Sequence, residues 1–224
     1  MPSTARVAPS AHIYHVLTRG NNRQDVFEDE VDFRKYMELL LRYKEKYHFK
    51  LYHYVLMTNH VHLVIEPTED GGNLSEIMKG INLAYAQHYK RRYSHTGHFW
   101  QDRYKSIIIS KDDYLLACGS YVELNPVRAK IVDDPMKYPW SSYRVYAHGK
   151  KNVIVDEHPV YIELSEDAGE RRKKYREFIR EMLKGKEAMM GEMDKRMVYG
   201  SEGFVDKIKG KCKIQELINP KGRQ

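Results

Sequence analysis

The sequence predicts an α+β fold in which a single antiparallel sheet carries helices. Two observations lead there. Short runs of β-branched and aromatic residues alternate with longer stretches of helical apolar spacing, and turn or cap residues mark each change. In order, His12–Arg19 (HIYHVLTR) reads as a strand closed by the turn signal Gly20-Asn21-Asn22. Asp32 caps a helix to about Tyr47, with Phe33, Tyr36, Met37, Leu40, Leu41 and Tyr43 at helical spacing. Lys50–Met57 (KLYHYVLM) and His60–Glu66 (HVHLVIE) are strands joined at Thr58-Asn59, a connection short enough for a hairpin. Pro67 and Thr68–Gly72 close that pair, and Asn73 or Ser75 starts a helix from Leu74 to about Tyr93. Ser94–Arg103 reads as a loop or short hairpin and Tyr104–Ser110 (YKSIIIS) as a fourth strand. A third helix, capped by Asp112 or Asp113, spans Tyr114–Asn125, where Pro126 limits it by pushing the preceding residue out of the helical region.

The order β-α-β-β-α-β-α is ferredoxin-like with one extra helix. It implies a four-stranded antiparallel sheet with the helices packed on one face and the other face free for a site. Beyond Pro139 the character changes. Trp140–His148 reads as a short helical or looped connection, Lys150–Val155 as a brief strand, and Glu166 to about Met190 as a charged helix containing Arg171-Arg172-Lys173-Lys174. A short helix near Ser201–Lys209 precedes a basic end, Pro220–Gln224. Two parts are therefore expected: a domain over 1–139 and a basic, mainly helical extension over 140–224.

Hydrophobic residues make up 42% and charged residues 31% of the 224 positions, which suits a packed core and not general disorder. No stretch approaches the roughly 18 apolar residues of a membrane span, and the start, MPSTARVAPSAH, lacks the apolar run of a signal peptide. Cys118 and Cys212 stand in no paired spacing, so neither a disulfide framework nor a thiolate zinc site is expected, and a cytoplasmic location fits. The net charge is +7. Residues 1–140 hold 19 Lys+Arg against 17 Asp+Glu, and residues 141–224 hold 19 against 14. Residues 79–111 carry seven basic side chains and one acidic one, Asp102. Such a local excess favours phosphate backbones through counterion release, although a solvated basic face accounts for charge alone equally well.

The chemistry starts from His60 and His62. Two apart in a strand, their imidazoles share one sheet face while Val61 takes the other. A pair of imidazoles can bind one divalent ion if a third ligand arrives from elsewhere; in isolation, two packed or surface histidines explain the pattern as well. Tyr121 and Asn125, four apart, stack on one face of the third helix. If that face lies over the histidines, the Asn125 amide oxygen completes a metal site beside the Tyr121 hydroxyl. A phenol, with a pKa of about 10, is a poor nucleophile unless a cation assists it. The competing reading makes Asn125 a helix end and Tyr121 a core aromatic, one of 18 tyrosines. Tyr114, two turns earlier on the same stripe, is the rival nucleophile, with Cys118 and no amide one turn on.

The blocks YVLMTNHVHLVIE (54–66) and YVELNPVRA (121–129) resemble the histidine-hydrophobe-histidine motif and the nucleophile helix of single-tyrosine HUH transposases, specifically their REP-associated branch. TRGNNRQ (18–24) and GHFWQDRYKS (97–106) match the same branch, so the resemblance covers about residues 11–135 in four blocks of the right order. It implies that His60, His62 and Asn125 bind Mg²⁺ or Mn²⁺. It further implies that Tyr121 attacks single-stranded or hairpin DNA to leave a 5′-phosphotyrosine and a free 3′-hydroxyl. Such a bond can be reversed to join strands without ATP. Arg19, Asn21, Asn22, Arg23, Arg91, Arg92, Arg103 and Lys105, with Trp100 among them, are candidate DNA contacts, because cations interleaved with aromatics suit single strands. Packing or a solvated surface explains each of them as well. The expected partner is therefore DNA and not a membrane, and a homodimer in which the Tyr121 helix serves a partner's histidines fits as well as a monomer. The alternative function is a non-catalytic nucleic-acid binder using Tyr52 and Tyr54 on the sheet as stacking platforms. A metal phosphodiesterase that uses water is a third.

Overall fold

The computed structural model describes residues 12–184 and 198–212. Four strands follow the predicted order: β1 (Ile13–Arg19), β2 (Phe49–Met57), β3 (His60–Pro67) and β4 (Lys105–Ile109). A fifth, β5 (Val198–Tyr199), was not foreseen, since two residues are too short to show a period. The sheet order is β2-β3-β1-β4-β5. The first three pairings are antiparallel and β5 runs parallel to β4, so the sheet is mixed and five-stranded where an antiparallel sheet of four was expected.

Helix α1 (Glu30–Tyr47) is capped by Asp29, whose carboxylate accepts from the Val31 and Asp32 amides. Asp32, the predicted cap, is instead buried and accepts bonds from Arg92, His88, Tyr93 and the Glu28 amide. Helix α2 (Leu74–Tyr93) begins with a capping box in which Asn73 and Glu76 satisfy each other's backbone N–H groups. These two helices cover one face of the sheet. Tyr14, Val16, Leu51, Leu63 and Ile65 pack there against Tyr36, Leu40, Ile77, Ile81 and Tyr85.

Helix α3 (Asp113–Arg128), capped by Asp112, lies on the opposite face. Its Leu115, Cys118, Tyr121 and Val122 join Ile13, Val55, Val64 and Ile107. Helices thus occupy both faces, contrary to the expected one-sided packing. Element order does not dictate which side a terminal helix takes, and α3 carries apolar residues on two flanks. The second flank, Leu116 and Leu124, meets α4 (Tyr143–His148), α5 (Pro159–Glu163) and α6 (Ala168–Lys184) through Tyr143, Tyr146, Tyr161, Tyr175 and Ile179. Helix α3 is therefore held between the sheet and the C-terminal helices.

Helix α3 also runs past Pro126, its predicted limit. Proline has no N–H for the carbonyl four residues back. That carbonyl, on Val122, accepts instead from the Asn125 side chain at 3.3 Å, so the helix continues without an orphaned group. Lys150–Val155 forms no strand; Asn152 turns the chain by accepting from the Ile154 amide, and the segment meets β2 through the Asp156 amide and carboxylate. The charged helix α6 begins at Ala168, and the predicted continuation beyond Lys184 lies outside the described residues, as does the basic end. A last helix, α7, spans Glu202–Cys212. Among the described residues no helix is long and apolar enough to cross a membrane.

Candidate active site

Strand alternation sends Val61, Leu63 and Ile65 of β3 to the α1/α2 core and leaves His60 and His62 on the α3 face. Their ring centroids are 5.0 Å apart and nearly perpendicular. His60 is half-buried and His62 is 2% exposed. Burial, and then the nearby His15, His60 and Arg19 side chains, hold the His62 imidazole well below its ordinary pKa. A neutral imidazole is the form that ligates metals.

Tyr121 comes to this pair from α3 of the same chain. Its ring stands edge-on to His62 with centroids 5.7 Å apart. The Arg128 guanidinium, two turns along α3, lies over the Tyr121 ring at 5.4 Å from its centroid. Asn125 sits one turn from Tyr121. Its amide nitrogen donates to the Tyr121 carbonyl at 2.8 Å and to Val122, and since carbonyls only accept, the amide oxygen is turned away from the helix backbone. Tyr114, the rival, packs edge-on against Tyr199 of β5, with centroids 4.8 Å apart.

Sequence reasoning missed His15. It lies on β1 in register with Val64, between the positions that face His60 and His62 and the sheet's far end. His15 Nε2 is 2.7 Å from His62 Nδ1, the two ring planes lie within 7° of parallel with centroids 5.0 Å apart, so the rings meet edge to edge, and the His15 centroid is also 5.7 Å from that of Tyr121. Alternation alone shows that His15 points to one face, but not that β1 and β3 are neighbours. Asn59 was also missed: its side chain contacts His60 Nδ1 at 2.6 Å and donates to the Arg23 carbonyl.

The loops around the histidines are knitted together. The Gly20 amide bonds the Asn59 carbonyl, the Asn21 amide bonds the Phe99 carbonyl, and the Gln24 amide group donates to Phe99 as well. Gly20 also lets the chain fold back over the following turn, because a Cβ there would strike the Gln24 carbonyl and Val26 Cγ1, the latter at 2.8 Å. Of the predicted DNA contacts, Arg19 pairs in register with His60, and Leu17, opposite His62, pairs on its other side with Lys105. Arg19 and Lys105 therefore lie on the histidine face at the same end of the sheet, with Lys105 exposed. Asn22 and Arg23 are exposed on the short 3-10 turn beside Asn59, and Asn21 is half-buried there. Arg103 and Arg91 are exposed, away from the pair: Arg103 borders a groove with Trp100, Met78 and Leu83 on α2, and Arg91 lies between α1 and α2. Arg92 is engaged by Asp29 at 2.6 Å and Asp32 at 2.7 Å, and the Trp100 indole donates to the Asn82 carbonyl at 2.9 Å while packing on Phe99. Both have structural partners inside the chain. Tyr52 and Tyr54, the platforms a binding sheet would need, are 2% and 3% exposed.

A two-histidine face opposed by a helix-borne tyrosine is the arrangement that the resemblance of the sequence implies. Residues 8–125, more than half of the chain, match the family model for IS200-like transposases, and the chain belongs to that family. Among solved structures, a REP-associated tyrosine transposase bound to a REP hairpin aligns over 71% of this chain and 93% of its own, with a TM-score of 0.55 and 18% identity. The two share a fold. A protein from Deinococcus radiodurans R1, described as a transposase, aligns over 58% of this chain and 92% of its own, with a TM-score of 0.38 and 19% identity. No curated protein matches the chain.

Proposed function

We propose that this transposase is a metal-dependent single-tyrosine strand transferase that cleaves and rejoins single-stranded DNA at hairpin-forming repeats. The observation that carries the reading is the meeting, within one chain, of the Tyr121 ring and the His62 ring at 5.7 Å. The Tyr121 oxygen attacks the phosphorus of a phosphodiester. A tyrosine O–P bond forms, the bond from phosphorus to the 3′ oxygen breaks, and in net terms the phenolic proton ends on the 3′-hydroxyl. The reverse step, with another strand's 3′-hydroxyl, rejoins DNA using the energy held in the phosphotyrosine.

His60 and His62 would hold Mg²⁺ or Mn²⁺ with Asn125 as the third ligand. The Asn125 amide nitrogen is taken up by the Tyr121 carbonyl, which leaves its oxygen to serve as that third ligand. The buried, neutral His62 fits that role. When bound, the ion neutralises charge at the scissile phosphate. Arg19 and Lys105 flank the histidines and would neutralise adjacent phosphates, while Asn22 and Arg23 extend the contact along the strand. REP hairpin binding by the transposase of shared fold supports a hairpin substrate here. We assign the chemistry to residues 1–139 and a supporting role to 140–224, acting in a soluble, cytoplasmic protein.

The test is incubation with hairpin oligonucleotides and Mn²⁺, followed by mass-spectrometric mapping of any covalent adduct. Tyr121→Phe abolishes the adduct while leaving DNA binding in place, and Tyr114→Phe retains it. An adduct that survives Tyr121→Phe refutes the assignment.

A further inference from the structure

We infer that Asn59 and His15 are positioning residues that hold His60 and His62 as the tautomers protonated on Nδ1, so that both rings turn an Nε2 lone pair to one divalent cation. The inference deepens, and rests on, the metal site proposed above.

For His60 the tautomer follows from a chain of hydrogen bonds. The Asn59 amide nitrogen lies 3.2 Å from the Arg23 carbonyl, which can only accept. The amide must therefore face Arg23 with its nitrogen and His60 with its oxygen, and that oxygen is 2.6 Å from His60 Nδ1. An amide oxygen accepts, so Nδ1 carries the proton and Nε2 the lone pair. Asn59 is itself fixed, because its backbone carbonyl accepts from the Gly20 amide at 2.9 Å. Behind His62 the partner is His15, with 2.7 Å between His62 Nδ1 and His15 Nε2. One proton lies between these nitrogens. Were it on His15, a neutral His62 would carry its proton on Nε2 and could not ligate. With it on His62, Nε2 is a ligand and His15 accepts. Hydrogen-bonded outer partners of this kind set the orientation and basicity of ligating imidazoles.

The full chain, labelled with ¹⁵N-histidine and free of metal, is examined by two-bond ¹H–¹⁵N correlation spectra. Both His60 and His62 should give the Nδ1–H pattern, and an Nε2–H pattern for either overturns the inference. Mn²⁺ titration by calorimetry supplies the second readout. Asn59→Ala and His15→Phe should weaken Mn²⁺ binding by about 10–100-fold with the circular dichroism of the fold retained. Asn59→Asp and His15→Gln, which keep an acceptor in place, should restore most of it. Unchanged affinity in Asn59→Ala and His15→Phe overturns the inference. The two readings fail separately. Nε2-protonated rings in a chain that binds Mn²⁺ sink this inference alone, whereas no Mn²⁺ binding by the unaltered chain sinks the metal site on which it rests.

Discussion

Glu123 is fully buried on α3, between Tyr121 and Asn125 in sequence but about 200° around the helix from Tyr121. One carboxylate oxygen is 2.8 Å from His53 Nδ1 on β2 and accepts from the Ser142 hydroxyl at 2.6 Å. The other accepts from Tyr175 of α6 at 2.7 Å. These three bonds pin the helix that bears Tyr121 to the sheet on one side and to α6 on the other. Glu123→Ala removes the acceptor that joins them and strands the buried His53 N–H and Tyr175 hydroxyl, while the Ser142 hydroxyl keeps the Tyr54 carbonyl at 3.4 Å. At about 1–3 kcal/mol for each group left unsatisfied, together with the cavity left by the lost side chain, a net loss of about 3–5 kcal/mol is expected. Glu123→Gln keeps the shape: its oxygen can still accept from His53 and Ser142, and its amide can donate to the Tyr175 oxygen, so about 1–2 kcal/mol is expected. At roughly 2–4 °C per kcal/mol for a chain of this size, thermal melts should fall by about 6–20 °C for Ala and about 2–8 °C for Gln. Adduct formation should fall in Glu123→Ala at temperatures where the variant remains folded, since Tyr121 loses its anchor. A Glu123→Ala melt within about 1 °C of the unaltered chain would refute the pinning.

Two arginines should separate stability from DNA contact. Arg92→Ala, which breaks the pairs to Asp29 and Asp32, should lower the melting temperature without changing the salt dependence of DNA binding, and Arg19→Ala should do the opposite, reducing the salt slope by about one. Stability should also fall in mild acid. His158 is buried, and burial followed by His53 holds its imidazole well below the ordinary value, so the folded chain takes up this proton less readily than the unfolded one. Its contribution is complete above the unfolded pKa of about 6.5 and is lost as pH falls below it. Melts from pH 7.5 to 5 should show the decline, and His158→Asn, which can keep the helix cap offered to the Tyr161 amide, should flatten it. Finally, Mn²⁺ at about 100 times its Kd should stabilise the chain by about 2.7 kcal/mol, and His62→Ala should abolish that gain; a gain that persists in the variant would refute His62 as a ligand.

Much of the site was legible because it is written in local periods. Two-residue spacing put His60 and His62 on one face, and four-residue spacing put Tyr121 with Asn125. The pieces that were not legible depend on which distant segments become neighbours. His15 meets His62 only because β1 lies beside β3, across 47 positions of sequence. Asp32 has the residue type of a cap, yet its partners come from α2, and Asp29 takes the cap instead. The extent of α3 was misjudged for a local reason of another kind: the rule that proline ends a helix assumes that the freed carbonyl finds no partner, and the Asn125 side chain supplies one.

The role of the C-terminal segment follows from the same helix. The second flank of α3 carries Leu116, Ser120, Glu123 and Leu124, all buried, and the sheet reaches it through His53 of β2 at Glu123. Its other partners come from after Pro139: Ser142, Tyr143, Tyr146, Tyr161, Tyr175 and Ile179. The tyrosine stripe of α3 is thereby turned toward the histidines of its own chain, and its opposite flank is occupied by its own α4–α6. To serve a partner's histidines, α3 would have to leave this setting and expose the buried Glu123 carboxylate together with Leu116 and Leu124. The cost of that exposure favours a site completed within a single chain. Removal of residues 140–224 should therefore lower both stability and adduct formation, even though every residue assigned to the chemistry lies before the cut.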